Sequence, residues 1–357
     1  MDILYYCLFK ENPNPLLLDK YLIGYIINNT IFMDLNFLKD KSVLVTGGTG
    51  SFGQKFVECL LKDSNCKRVI VFSRDEFKQH AMQQHFGNPE NKLRFFLGDV
   101  RDLSRLQRAF VGVDIVVHAA ALKQVPALEF NPLEAVKTNV LGTQNVIDAA
   151  LDNRVEKVAL VSTDKAVNPI NLYGATKLCA EKLLTAANSY SGIEKKPIFS
   201  AVRYGNVVGS RGSITEVLQE QKKIGEVTLT HEDMTRFWIT LDQGVDLVLD
   251  TLRLMKGGEI VVPKLPAMKV KNLISVLAPN CKVKIIGVRP GEKLHEMLLT
   301  EDEARRTRDI GKYYLVEPSH DWWDKSHFKE FPSVPTDFNY VSSIVKELTK
   351  EDLLNFV

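Results

Sequence analysis

Ser42-Val43-Leu44-Val45-Thr46-Gly47-Gly48-Thr49-Gly50-Ser51-Phe52-Gly53 is the stretch on which the fold turns. A short apolar run ending in glycines reads as a buried parallel strand. From Phe52 to Lys62 the apolar residues recur with helical periodicity. Gly47, Gly50 and Gly53 have the spacing GxxGxxG between that strand and that helix. Glycines there permit a tight turn and let the backbone approach a pyrophosphate, to which the helix start offers unpaired N–H groups and a positive dipole end. Gly47, Thr49, Gly50, Ser51, Phe52 and Gly53 are therefore candidate dinucleotide contacts.

Outward from this loop the chain alternates. Strands are expected at Arg68–Phe72, Leu93–Leu97, Val113–His118, Lys157–Val161 and Ile198–Val202. Helices are expected at Glu76–Phe86, Leu103–Phe110, Pro132–Asn153 and Asn171–Ser189. Alternation of this kind predicts an α/β fold, a Rossmann-type doubly wound parallel sheet covered on both faces. The alternation lapses after Asn206. Residues 207–315 read as a smaller, mostly substrate-binding lobe, with a strand at Gly257–Val262, and 316–357 as an aromatic, turn-rich tail with a last helix over 342–355. Residues 37–206 then form the dinucleotide-binding domain with the catalytic segment, and 1–36 an N-terminal extension.

The chain has 357 residues, 45% apolar and 25% charged, enough for a sizeable core in one large domain or two smaller ones. A net charge of +2 gives no sign of a nucleic-acid or membrane-surface binder. The five cysteines are scattered with no CxxC pair, a pattern of reduced thiols in a cytoplasm and of no metal site. The apolar run Tyr21–Phe32 is too short to span a bilayer and is interrupted by Asn28 and Asn29. Residues 1–32 read as an accessory tail or an upstream start.

The end of the second strand discriminates between dinucleotides. An acid there would accept hydrogen bonds from a ribose 2′-OH; this chain has Phe72-Ser73-Arg74, with Lys78 one turn on. A hydroxyl and a guanidinium favour the 2′-phosphate of NADP. Asp75 is the counter-candidate, a ribose acid displaced by two positions. Asp99 and Val100 are expected beside the adenine and Ala119 beside the nicotinamide half, with Thr138 and Val207 added to the cofactor set. His118 reads as a core histidine at a strand end.

The fifth strand runs into Ser162-Thr163-Asp164-Lys165, at the carboxyl edge where open α/β sheets bind ligands. Tyr173-Gly174-Ala175-Thr176-Lys177 follows, and the spacing puts Tyr173 and Lys177 on one helix face. An ammonium near a phenol lowers its pKa, so Tyr173 can take a proton from a hydroxyl while hydride leaves the same carbon.

The strings TGGTGSFG, SRDEFKQ, GDVRD, HAAALKQVP, STDKAVNPINLYGATK, RYGNVVGSRGS, MTRFWIT and RPGEKLHE together resemble the extended, nucleotide-sugar branch of the short-chain dehydrogenase/reductases. Within it they are similar to the inverting UDP-N-acetylglucosamine 4,6-dehydratases, over roughly residues 37–300. The C-terminal Phe338-Asn339-Tyr340-Val341-Ser342-Ser343 only approximates the aromatic-Ser-Ser stretch of that family. The resemblance implies bound NADP as transient hydride acceptor, UDP-N-acetylglucosamine as substrate, a homo-oligomer, and a first step in pseudaminic acid or related surface-glycan synthesis. It implies that Tyr173 deprotonates the C4 hydroxyl, that Thr163 holds it, and that Asp164 and Lys165 handle the elimination from C5 and C6. The retaining dehydratases carry Asp-Glu where this chain has Asp164-Lys165, which points to inversion at C5. Lys123, which also serves in the cofactor set, joins Asn206, Arg211, Gly212, Ser213, Thr228, Arg236, Arg289 and Glu292 as candidates for the nucleotide sugar. The competing readings are a UDP-sugar 4-epimerase, a retaining dehydratase and a non-catalytic NADP-sensing regulator; the intact Tyr173 and Lys177 weigh against the last.

Overall fold

The computed structural model describes residues 35–191, 196–349 and 351–352. The expected accessory tail over 1–32 lies outside them. Leu35 and Leu38 are already core residues.

The glycine loop's strand is β1 (Ser42–Thr46). It is followed by β2 (Arg68–Ser73), β3 (Leu93–Leu97), β4 (Ile115–His118), β5 (Lys157–Val161) and β6 (Ile198–Val202). These pair in parallel in the order 3-2-1-4-5-6. Strands of a parallel sheet with helices on both faces must be apolar on both sides, and all five residues of β1 are buried. The order reverses between β1 and β4, which opens a crevice at their carboxyl ends.

Beyond β6 come β7 (Asn206–Val207), β8 (Glu226–Leu229), β9 (Thr235–Ile239), β10 (Ile260–Pro263), β11 (Ala267–Lys269), β12 (Lys282–Ile285), β13 (Met297–Leu299), β14 (Thr307–Asp309), β15 (Tyr313–Val316) and β16 (Tyr340–Val341). Segment 207–315 divides between two bodies. Strands β7, β9 and β11 form one small sheet and β8 and β12 another. With the helices Ile214–Ile224 and Val270–Leu277 they enclose a second core around Leu218, Val227, Met234, Trp238 and Leu273. β10 instead returns to the main sheet beside β6, and β15 and β14 extend it antiparallel to nine strands. The helix Leu241–Leu254 packs on the helix Ser51–Asp63. The sequence Ile260-Val261-Val262-Pro263 is buried throughout, as an interior strand requires.

Two expected helices differ. The span Pro132–Asn153 is not one α-helix: α-helical Pro132–Ala135 passes into a π-helical turn at Val136–Leu141 before Gly142–Asp152. Such bulges recur at functional sites. Of the last helix expected over 342–355, residues 342–349 are not helical, while 351–352 are. Its backbone N–H groups go elsewhere, Ser342 to the Glu296 carbonyl at 2.8 Å and Leu348 to Ala267 at 3.1 Å. The aromatic tail packs too. Trp323 and Phe328 close a small core on Leu315, and Tyr340 lies against Phe237 at 4.9 Å.

Candidate active site

β5 does not stop at Val161. Ser162 N–H donates to Val202 at 2.8 Å and Asp164 N–H to Tyr204 at 3.1 Å, so the chain stays beside β6 for three more residues. It then makes a 3₁₀ turn, Asp164–Ala166, whose start is capped by the Thr163 side chain accepting from Lys165 N–H at 3.3 Å. Asn171 caps the helix Leu172–Ala187 by accepting from Gly174 N–H at 2.8 Å. A Cβ on Gly174 would lie 2.0 Å from the Lys165 carbonyl oxygen. Glycine at that position lets the helix carrying Tyr173 press against the turn carrying Lys165.

The pair Asp164–Lys165 is formed: Lys165 Nζ lies 3.0 Å from Asp164 Oδ1. Asp164 is fully buried, and its Oδ1 also accepts from the Thr163 hydroxyl at 2.9 Å. Burial pushes the Asp164 carboxyl above the ordinary carboxylate range, against the pull of Lys165. A second carboxylate lies on the other side of the ammonium. Glu296 Oε1 is 3.3 Å from Lys165 Nζ, and its side chain is 2% exposed. Although burial of Lys165 works the other way, Asp164 and Glu296 together hold its ammonium above the usual lysine range.

Tyr173 meets this cluster from the helix. Burial raises its phenol pKa, while Lys165 and a hydrogen bond with Thr163 pull it back down. Lys165 is one cation acting on that phenol, and Lys177 follows Tyr173 one turn along the same helix. Lys177 is buried, which lowers its pKa to about 8 despite Glu181 nearby. His118 is a core residue bridging Thr46 at 2.7 Å and Thr143 at 3.1 Å, and burial drops its pKa to about 3.

At the crevice, Gly47 has φ +68° and a Cβ there would sit 2.9 Å from the Ala120 backbone. The helix Ser51–Asp63 starts without a side-chain cap, leaving its first N–H groups for an anion. Thr138, on the π turn, keeps a buried hydroxyl with no partner among the described residues. Val100 packs where a Cβ on Gly142 would be 2.8 Å away, and Ala119 N–H donates to Thr46 at 3.3 Å. Together these fit a bound dinucleotide. At the discriminating end of β2, the Ser73 hydroxyl accepts from Gln79 at 2.9 Å, and Arg74 Nη1 is 3.8 Å from Asp99. Asp75 is engaged as the cap of Glu76–Phe86 and pairs with Lys78 at 2.9 Å.

The sugar-nucleotide candidates fall into three groups. Lys123 Nζ donates to the Arg211 carbonyl at 3.0 Å, and Arg211 N–H to the Ser51 hydroxyl at 2.9 Å, so loop 208–213, with Gly212 and Ser213, lies over the glycine turn. Arg236 and Arg289 share Glu292, at 3.5 and 3.1 Å, and Arg236 Nε reaches Glu296 at 3.8 Å. Asn206 Oδ1 is buried without a partner among the described residues, and Val207 pairs with Ile239. Thr228 stands apart: it is taken up by Gln221 at 2.9 Å, and no described contact joins it to Lys165.

Three further residues contact the site or its supports without having been assigned a role from the sequence. Glu296 closes the string RPGEKLHE but gave no spacing signal. Asn139, on the π turn, accepts from Leu122 N–H at 2.8 Å and donates to Thr176 at 3.0 Å, tying the loop after β4 to the Tyr173 helix. Ser342 accepts from the Glu296 N–H at 2.9 Å. The polar Asn139 within an otherwise helical pattern was the one available clue.

The polysaccharide biosynthesis protein family matches residues 43–318. A UDP-N-acetylglucosamine 4,6-dehydratase (inverting) of Campylobacter jejuni subsp. jejuni is 50% identical over 281 residues, 78% of this chain and 83% of that protein. A UDP-glucose 4-epimerase of Rickettsia bellii is 43% identical over 285 residues, 78% of this chain and 83% of its own. Among solved structures, Pen from Bacillus thuringiensis superposes with a TM-score of 0.83 at 37% identity, covering 89% of this chain and 97% of that one. DesIV, a dTDP-glucose 4,6-dehydratase from Streptomyces venezuelae with NAD and TYD bound, gives 0.64 at 25% identity, covering 71% and 86%.

Proposed function

The chain belongs to the polysaccharide biosynthesis protein family, within the extended short-chain dehydrogenase/reductases, and from that premise we propose that it is a configuration-inverting UDP-N-acetylglucosamine 4,6-dehydratase. The observation that carries this reading is the Asp164–Lys165 pair beside Tyr173, a fully buried carboxyl against a part-buried ammonium, since elimination needs an acid and a base beside the group that handles the C4 hydroxyl. The similarity to the Campylobacter enzyme supports the same substrate.

A nicotinamide dinucleotide would be held by the Gly47–Gly53 turn, the uncapped start of Ser51–Asp63 and Thr138, and it supplies a place to store the C4 hydride until C6 can take it back. Asp75 is committed to its helix cap while Arg74 stays half-exposed, which supports NADP over NAD. Tyr173 takes the proton of the C4 hydroxyl, with Lys165 and Thr163 favouring the phenolate. The resulting C4 ketone acidifies the C5 hydrogen. Lys165 rests as an ammonium, so it must first release a proton, and Asp164 lies 3.0 Å away with a raised proton affinity. One transfer across that contact yields a neutral amine and a carboxylic acid together. The amine takes the C5 proton, the acid gives its proton to the leaving C6 hydroxyl, and water departs. Lysine at position 165, where the retaining relatives have an acid, supports removal of the C5 proton from one face; as hydride returns to C6, C5 takes on the opposite face the proton that Tyr173 had received from the C4 hydroxyl. We place the product at the entry of a surface-glycan route of the pseudaminic acid type.

Incubation with UDP-N-acetylglucosamine in D2O, followed by NMR, tests the reading. The expected product is a 6-deoxy-4-keto sugar with deuterium at an inverted C5. A C4 epimer formed without loss of water would instead support the epimerase reading that the Rickettsia similarity keeps open.

A further inference from the structure

Lys165 faces charged or titratable groups from every element packed around it. Asp164 lies on its own turn, Glu296 and Lys293 on the segment before β13, Arg236 on β9, Tyr173 on the helix Leu172–Ala187 and Lys123 on the loop after β4. Of these, only Asp164 and Glu296 form ion pairs with Lys165 among the described residues. They differ in how they are held. Asp164 accepts from the Thr163 hydroxyl and leaves Oδ2 buried without a hydrogen-bond partner among the described residues. Glu296 has Arg236 at 3.8 Å and Lys293 at 4.0 Å, and its Oε2, the oxygen nearest Lys293, is buried and accepts no hydrogen bond among the described residues. Its backbone is clamped on both sides by Ser342, whose hydroxyl accepts from Glu296 N–H at 2.9 Å and whose N–H donates to Glu296 O at 2.8 Å. A buried carboxylate costs several kcal/mol unless compensated, and the three cations around Glu296 compensate it as an anion. Coulomb attraction at 3.3 Å between a buried carboxylate and a part-buried ammonium is then a close and fixed influence on the lysine.

We propose that Glu296 is the positioning residue of the elimination: the C-terminal segment clamps it against Lys165, so that its fixed charge sets the proton count of the Asp164–Lys165 pair. The inference rests on the dehydratase reading. Two acids and one amine in contact share their protons, so the pair titrates with macroscopic values that belong to the group. The Glu296 anion raises the proton affinity of both members of the pair. Removing that charge lowers both, and the whole pH–rate bell must move towards acid. A residue that served packing alone would lower the bell without moving it.

The test is the pH profile of kcat/KM for 6-deoxy-4-keto sugar formation, with wild type and Glu296→Gln compared by NMR of the product. Both limbs of the Gln profile are expected to move acid-ward by about one unit, the usual scale for losing one close charge. Superimposable limbs in a folded variant overturn the inference. Glu296→Asp keeps the charge on a shorter arm and is expected to shift in the same direction by less; it decides the matter should the Gln variant not fold. A folded Asp variant whose limbs stay in place also overturns the inference. The two levels separate cleanly. Wild type that forms no 6-deoxy-4-keto sugar sinks the dehydratase reading, whereas wild-type turnover with unmoved limbs in the variants sinks only the role of Glu296.

Discussion

Lys165→Met keeps most of the unbranched side chain and removes the amine that carries the proton. The elimination then lacks the group that exchanges protons with Asp164 at 3.0 Å, and general acid–base contributions of this kind are worth about 10²- to 10⁴-fold. Release of water is expected to fall by about that factor, while NADP binding, followed by fluorescence titration, persists because the glycine turn is untouched. Normal turnover in this variant would remove Lys165 from the mechanism. Arg74→Ala probes the cofactor choice. The guanidinium is half-exposed and only loosely paired with Asp99 at 3.8 Å, so it is free to meet a 2′-phosphate. A charge-assisted bond of about 1.5–3 kcal/mol predicts a loss of about tenfold or more in NADP affinity with little change for NAD, read by calorimetry. Equal losses for both would overturn the assignment. At this scale the sequence was informative where spacing is local. Asp164 and Lys165 are neighbours, and Tyr173 and Lys177 share a helix face, so their grouping is written in the order of residues. Glu296 reaches the same ammonium through tertiary structure from the far end of the second lobe, and no local pattern records that.

Among the elements, the helix Leu172–Ala187 depends on one residue for its approach to the 3₁₀ turn. Two effects oppose each other in Gly174→Ala. Alanine is the better helix former by about 1 kcal/mol, which favours the variant. The added Cβ would lie 2.0 Å from the Lys165 carbonyl oxygen, a backbone atom that cannot simply rotate away. Overpacking of this kind costs about 1–3 kcal/mol and forces backbone shifts, so the clash wins. The variant is expected to unfold at lower denaturant, and its activity should drop further than its stability because Tyr173 moves off Lys165. A stable, fully active Gly174→Ala would show that the two elements need not touch. Element boundaries were legible where strand and helix alternate: Glu76–Phe86 is found over the expected residues, and the structure adds the Asp75 cap that starts it. The π turn at Val136–Leu141 was not legible, since it keeps the apolar period of a helix and differs by one residue in its hydrogen bonding. Its consequence is Asn139, turned to hold Leu122 and Thr176.

Across the whole molecule, the helix that carries Tyr173 is tied to the sheet and to the C-terminal part through a buried charge network. Arg203, following β6, makes paired contacts to Glu181 on the Tyr173 helix, the shortest at 2.7 Å, and to Glu303 on the turn Glu301–Ala304 at 2.8 Å. Ser162, at the entrance of the reactive segment, donates to Glu181 at 2.5 Å. The return of β10, β14 and β15 to the main sheet brings Glu303 within reach. That return was invisible to period counting because the strands are short and follow a long excursion. Removing the guanidinium in Arg203→Met leaves two carboxylates with little water, and breaking a buried pair in this way costs about 3–5 kcal/mol. Glu303→Gln is milder and carries a signature in pH. Burial pushes the Glu303 carboxyl upward, but Arg203 outweighs it and holds the group below its ordinary value of 4.5. A carboxyl depressed on folding stabilises the native state above its unfolded pKa, and that stabilisation is lost as pH falls through the lower native value. The melting-temperature gap between wild type and Glu303→Gln should therefore be full near neutrality and close progressively below about pH 4.5. A gap that stays constant through that range would mean that Glu303 supports the fold by shape and hydrogen bonding and not by its charge.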